Sequence, residues 1–165
     1  MKRKLILLLI IVSALGSAFA FYYPENPGEV KWTNFDKGLE ASKAQNKKVI
    51  IDVYTTWCGW CKKMDASTYR NSEVAKYIED NFIAVKLNAE SSSAVSFMGQ
   101  NYTEQQLSQG FGITGFPSTI FFDEKQQPIT VIPGYLDDKQ LLNILKFVNE
   151  GAYKNQKFED YMKGK

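Results

Sequence analysis

Val49-Ile50-Ile51-Asp52-Val53-Tyr54-Thr55-Thr56-Trp57-Cys58-Gly59-Trp60-Cys61-Lys62 is the stretch from which the rest of the chain can be read. It opens as an apolar, β-branched run, the composition of a strand covered on both faces. It then turns through Cys58-Gly59-Trp60-Cys61, which holds the only two cysteines of the 165 residues. A strand running into a Cys-x-x-Cys turn that opens a helix is an arrangement suited to thiol–disulfide exchange. The thiolate is the attacking species, and a free cysteine titrates near ~8.5. At the N-terminus of a helix, unpaired backbone N–H groups would face the Cys58 sulfur and favour its anion. Cys61, one turn inside, could then attack a mixed disulfide formed at Cys58. The expected division of labour is an exposed, nucleophilic Cys58 and a shielded, resolving Cys61.

Composition removes the competing chemistries of this motif. A structural zinc site needs four ligands, usually Cys or His, and this chain has two cysteines and no histidine. Covalent haem attachment requires His directly after the second Cys, where Lys62 stands. A purely structural bridge is the remaining alternative, but the loop it closes is too short to restrain an unfolded chain much. No metal or cofactor is therefore expected beyond the dithiol itself.

The N-terminus has the order of a secretory signal. Lys2, Arg3 and Lys4 precede an apolar stretch from Leu5 to Leu15, and Gly16-Ser17-Ala18-Phe19-Ala20 supplies an Ala-x-Ala pattern. Residues 1–20 are read as a signal peptide, with an uncleaved anchor as the alternative. Both place the remainder outside the cytoplasm, in the periplasm or its equivalent, with the basic flank inside. Without the three positive charges at 2–4, 17 basic residues face 18 acidic ones, so nothing argues for a nucleic-acid partner. About 145 residues remain, enough for one domain with its own core; it is taken to be a monomer.

Residues 21–34 look like an irregular lead-in, with two prolines and a glycine. A helix capped by Asn34 or Asp36 should run to about Asn46, with Phe35, Leu39 and Ala44 on one side. A helix starting within the Cys-x-x-Cys should end near Asp65. Ser72 can cap a second helix, 73–80. Phe82 to Leu87 is a strand, 88–102 a polar loop, and Thr103 the cap of a short helix ending at Gly110. Ser118–Phe122 and Ile129–Ile132 form a strand pair. Asp137 or Asp138 caps a last helix with Leu141, Leu142, Leu145 and Val148 on one face, closed by Gly151. In the tail, 152–165, a short docked helix is the expectation. The order αβααβαββα implies an α/β domain, a central mixed β-sheet with helices on both faces.

Three separated elements carry a resemblance to the thioredoxin-like family, and within it to exported bacterial members. They are Asp52 through Lys62; Phe82-Ile83-Ala84-Val85-Lys86-Leu87-Asn88; and Gly112-Ile113-Thr114-Gly115-Phe116-Pro117-Ser118-Thr119 with the following strand and Gly134. The resemblance spans roughly residues 36–150. It implies a thioredoxin fold over 35–151, with 88–110 longer than in the minimal fold. It also implies that Pro117 is the family's cis-proline, facing the dithiol and, with Phe116, receiving an extended substrate segment. Asp52 matches a buried acid under the site, whose raised pKa would let it take the Cys61 proton through water. Lys86 matches the lysine that moderates that acid, although taken alone it would read as a surface lysine.

Trp57 and Trp60 flank the dithiol and, with Ile113 and Phe116, could form an apolar rim for extended polypeptide; core packing is the other reading of Trp57. Gly59-Trp60 departs from the family's Gly-Pro, and the His of strongly oxidising relatives is missing. That removes a cation favouring the thiolate and implies a reducing or intermediate potential. The expected function is an extracytoplasmic thiol:disulfide oxidoreductase that reduces protein disulfides. It would be re-reduced by a membrane electron donor of the thiol:disulfide interchange type. An oxidase or isomerase, or a polypeptide-binding holdase with a secondary dithiol, are the alternatives.

Overall fold

The computed structural model describes residues 28–165. The signal segment and most of the lead-in lie outside the described residues. The elements in chain order are α1 (Phe35–Gln45), β1 (Lys48–Tyr54), α2 (Gly59–Ala66), a 3-10 turn (Thr68–Arg70), α3 (Ser72–Asn81), β2 (Phe82–Asn88), β3 (Ala94–Phe97), β4 (Gln100–Thr103), α4 (Glu104–Gly110), β5 (Ser118–Phe122), β6 (Pro128–Pro133), α5 (Asp138–Asn149), a second 3-10 turn (Ala152–Lys154) and α6 (Phe158–Lys163).

The main sheet has the order β2–β1–β5–β6. β1 pairs in parallel with β2 and antiparallel with β5, and β5 continues antiparallel to β6. Strand parity sorts the side chains into two cores. Ile50, Ala84 and Phe121 meet Met64 of α2, Val74 and Ile78 of α3, and Leu141, Leu145 and Val148 of α5. Val49, Ile51, Val53, Val85, Leu87, Ile120 and Phe122 meet Phe35 and Leu39 of α1, Leu107 of α4 and Val95 of β3. This is the mixed sheet with helices on both faces. Asp52 shares the parity of Ile50, so its carboxylate is directed to the α2 side.

Several local expectations are corrected. The segment 88–102 is not only loop: β3 and β4 form a hairpin, Val95 opposite Tyr102, turning through Met98 and Gly99, both at positive φ. A two-residue turn with both φ positive matches the twist of a hairpin. Phe97 on β3 stacks on Phe122 with centroids 5.3 Å apart, so the hairpin covers the α1 face of the sheet. The cap of α3 is Asn71, whose side chain accepts from the N–H groups of Glu73 and Val74, one residue before the expected Ser72. On α5, Ile144 is buried and Leu142 is only half-buried; on α1, Ser42 is buried and Ala44 is exposed. Of the lead-in, the described end is joined to the sheet. Thr33 bridges the outer edge of β2, donating to Ala84 O and accepting from Lys86 N, both at 3.0 Å. The tail does carry a short helix, α6, which rests Phe158 and Tyr161 on Phe147.

α1 approaches β2 closely at Gly38, where an added Cβ would collide with Val85 Cγ2. Val85 is wholly buried and cannot yield. Gly38→Ala should therefore destabilise the domain by about 1–3 kcal/mol despite the better helix propensity of Ala. Urea denaturation at constant m-value checks this.

Candidate active site

β1 ends at Tyr54, and the chain turns at once into α2. Cys58 is the N-cap of α2, with extended φ/ψ (−70°, 105°), and its Sγ accepts a hydrogen bond from Cys61 N–H at 3.0 Å. The two cysteines form a disulfide, with Cα atoms 5.3 Å apart. The local sequence explains the geometry. Thr55-Thr56 ends the strand, and Cys58 N–H donates to Thr55 O at 3.3 Å to close the turn. The side chain at an N-cap takes the place of a capping oxygen, so a thiolate there would receive the same N–H together with the positive end of the helix. One expectation fails: Cys58 is not exposed in this oxidised state. It is 4% accessible and Cys61 3%, so accessibility does not separate nucleophile from resolving thiol. What distinguishes the two is position: Cys58 is the helix cap and Cys61 lies within the helix.

Phe116–Pro117 is a cis peptide bond, and Pro117 is buried at the start of β5. Pro117 O accepts from Gly134 N at 2.8 Å, which ties β5 to the turn after β6. Phe116 stands edge-on to Trp57, centroids 6.0 Å apart. Trp57 is 67% exposed, which sets aside the core-packing reading, and Trp60 is 56% exposed. Trp60 leans on Tyr135, centroids 5.3 Å apart, and Lys63 Nζ lies over both rings. Two aromatic pairs therefore flank the disulfide, one through each tryptophan. Ile113 is half-buried and packs into the α1-side core. Gly59 is exposed at the first turn of α2 and a Cβ there would meet nothing, so no steric demand explains that glycine.

A charged cluster joins β1, β2 and α2, the helix that carries both cysteines. Asp52 is 1% accessible. Lys86 is its partner in the β1–β2 register, and Lys86 Nζ lies 2.5 Å from Asp52 Oδ2. Asp52 is thus buried but paired, not buried without a partner. Burial still pushes its pKa up, and the Lys86 charge offsets that only in part. Burial pulls Lys86 down, but the charges and hydrogen bonds of Asp52 and Asp65 more than reverse it, so its pKa is raised. Lys86 is no surface lysine: its ammonium also lies over the rings of Trp32, Tyr54 and Tyr69. Tyr69 and Thr119, the β5 partner of Asp52, adjoin it. Their hydroxyls and Asp52 Oδ1 are buried without a partner at hydrogen-bonding geometry. Burial and the nearby Asp52 charge push the Tyr69 phenol well up.

Two contributors escaped the sequence reading. Asp65, four residues beyond Cys61 on α2, is the second carboxylate on Lys86, at 2.5 Å. Glu90 accepts from Thr56 N (2.9 Å), Thr56 Oγ1 (3.0 Å) and Trp57 Nε1 (2.9 Å), and so holds the segment before Cys58. The backbone bond from Thr56, with the two side-chain bonds, keeps its carboxyl below the usual range. Helical spacing from Cys61 could have pointed to Asp65. Nothing in a polar loop distinguishes Glu90 from its neighbours.

The geometry is that of a family. Residues 35–149 match the thioredoxin-like domain. The chain belongs to this thioredoxin-like family. Among curated proteins it is 30% identical over 104 residues to the thiol:disulfide interchange protein DsbD of Actinobacillus pleuropneumoniae, covering 62% of this chain and 16% of that protein. The DsbD of Yersinia pestis is 27% identical over 147 residues, 84% of this chain and 23% of that protein. The chain therefore spans less than a quarter of these relatives. Among solved structures, a thioredoxin-fold protein from Helicobacter pylori superposes with a TM-score of 0.61 at 20% identity, covering 77% of this chain and 91% of that one. That likeness shows the fold.

Burying the Asp52 charge costs stability, and the pH dependence has a definite sign. A carboxyl raised in the folded state contributes its stability below its unfolded pKa and loses it as pH rises through the folded value. Asp52→Asn should therefore stabilise the oxidised protein at neutral pH. The gain should shrink toward zero below about pH 4. Thermal unfolding of both proteins across pH measures it.

Proposed function

We propose that the protein is an extracytoplasmic thiol:disulfide oxidoreductase that works mainly as a reductase of protein disulfides. The observation that carries this is the Cys58–Cys61 disulfide closed across the N-cap of α2, with Cys61 N–H on Cys58 Sγ. In the reduced protein the Cys58 thiolate attacks one sulfur of a substrate disulfide. The substrate S–S bond breaks, one substrate thiolate leaves, and a mixed disulfide forms at Cys58. Cys61 loses its proton to Asp52 through water and attacks Cys58 Sγ, releasing the second substrate thiolate and leaving the Cys58–Cys61 disulfide. Two electrons pass to the substrate. The dithiol is the only redox group the reaction requires.

The exposed Trp57 and Trp60 and the cis-Pro117 at the start of β5 support a polypeptide substrate lying across the disulfide. An extended segment commonly binds by backbone pairing with pockets for alternate side chains. The relatives the chain matches, thiol:disulfide interchange proteins, agree with this chemistry. The basic start and apolar run of residues 2–20 support the location, and a membrane electron-transfer protein is the donor we favour for re-reduction. Lack of a histidine between the cysteines supports the reducing direction.

Cys58→Ser should abolish reduction of a model protein disulfide, and Cys61→Ser should accumulate mixed disulfides through Cys58. Equilibration with glutathione buffers decides direction: a potential near ~−270 mV supports a reductase, and one near ~−120 mV makes the protein an oxidant. A Cys58→Ala/Cys61→Ala protein that retained its clients would favour polypeptide binding as the main role.

A further inference from the structure

Lys86 is divided between two carboxylates of unlike surroundings. Its ammonium stands 2.5 Å from Asp52 Oδ2 and 2.5 Å from Asp65 Oδ1. The Asp52 side chain is 1% exposed and that of Asp65 45%. Asp52 lies on β1, Lys86 on β2, and Asp65 on the helix that carries both cysteines. The rings of Trp32, Tyr54 and Tyr69, at 4.7, 5.2 and 5.4 Å, confine the ammonium to the place where both acids reach it. Asp65 thus stands on the solvent side of the cluster and lines, with Lys86, Glu29 and Arg70, a cavity of about 250 Å3.

Coulomb attraction to a buried acid at a few ångströms is strong, and a second anion on the same cation opposes it. An exposed carboxylate on Lys86 therefore weakens what Lys86 does for Asp52. The groups facing Asp52 are Lys86 from β2, Asp65 from α2, Tyr69 from the 3-10 turn and Thr119 from β5. Of these only Lys86 favours the Asp52 anion by charge, and only Asp65 disfavours it by charge.

We propose that Asp65 is a positioning residue for the resolving step: by holding one side of Lys86 it limits the charge that reaches Asp52, and so sets how readily Asp52 takes the Cys61 proton. Asp52 alone with Lys86 would be a weaker base. Asp52 without Lys86 would hold its proton too tightly to start as the anion. Asp65 keeps it between these limits. This rests on the role given to Asp52 under Proposed function.

The test isolates the resolving step. The full-length reduced protein is mixed with 5,5′-dithiobis(2-nitrobenzoate), whose S–S bond Cys58 breaks to form a mixed disulfide and release one thionitrobenzoate, and release of the second by Cys61 is followed by stopped flow across pH. The inflection assigned to Asp52 should fall by about half a pH unit in Asp65→Asn, a roughly threefold change in proton affinity. It should rise in Lys86→Met and stay in place in Asp65→Glu. Opposite shifts in Asp65→Asn and Lys86→Met are a result that simple loosening of the fold would not produce. An unmoved inflection in Asp65→Asn, or shifts of the same sign in both variants, overturns the proposal. Asp52→Asn is the separate control: if the inflection survives in it, the proton-acceptor role of Asp52 fails, and the inference about Asp65 falls with it for that distinct reason.

Discussion

β1 runs between a parallel and an antiparallel neighbour and is covered on both faces, so every side chain from Lys48 to Val53 is buried. A strand in that position leaves no solvent for a charge, and the one acid in it must find a cation inside the fold. The β1–β2 register places Lys86 opposite Asp52, with both on the face that α2 covers. The same strand delivers Cys58 to the N-cap of α2. The acid, its cation and the dithiol are therefore fixed relative to one another by a single strand and its pairings.

Two cores stabilise this arrangement from opposite sides. On the α2 side, Met64, Ile78, Leu141 and Leu145 fill the space around Ile50 and Phe121, and Asp52 follows Ile50 on the same face of β1. On the other side, Phe35, Leu107 and the β3–β4 hairpin cover Val49, Ile51 and Phe122. The hairpin is held by aromatic contacts of Phe97 with Phe35, Phe111 and Phe122. Ser96, Gln100 and Asn101 are exposed and polar, so a segment dominated by Ser, Asn and Gln concealed one buried valine and one stacking phenylalanine.

The surface around the disulfide is apolar by design of its neighbours as much as by its own residues. Trp57 is held between Glu90 and Phe116, and Trp60 between Tyr135 and Lys63. Exposed tryptophans fixed in this way lose less side-chain freedom when a partner docks. Both sulfurs are covered in the oxidised state.

Much of this was legible in the chain as written. The β-branched run before Trp57-Cys58-Gly59-Trp60-Cys61-Lys62 marked the strand, the turn and the helix, because periodicity and capping are local properties. The absence of histidine removed haem attachment and self-contained zinc binding by composition alone. Asp52 stood out because it interrupts an apolar run, and Pro117 because of the residues around it. The rest depended on pairs distant in sequence. Lys86 meets Asp65 only because strand parity turns Lys86 toward α2, and Glu90 reaches Trp57 only because β1 and β2 end side by side. Hydrophobic period and caps decide which elements form. Register and parity between elements decide which charges share a cation, and those appear only when the sheet is assembled.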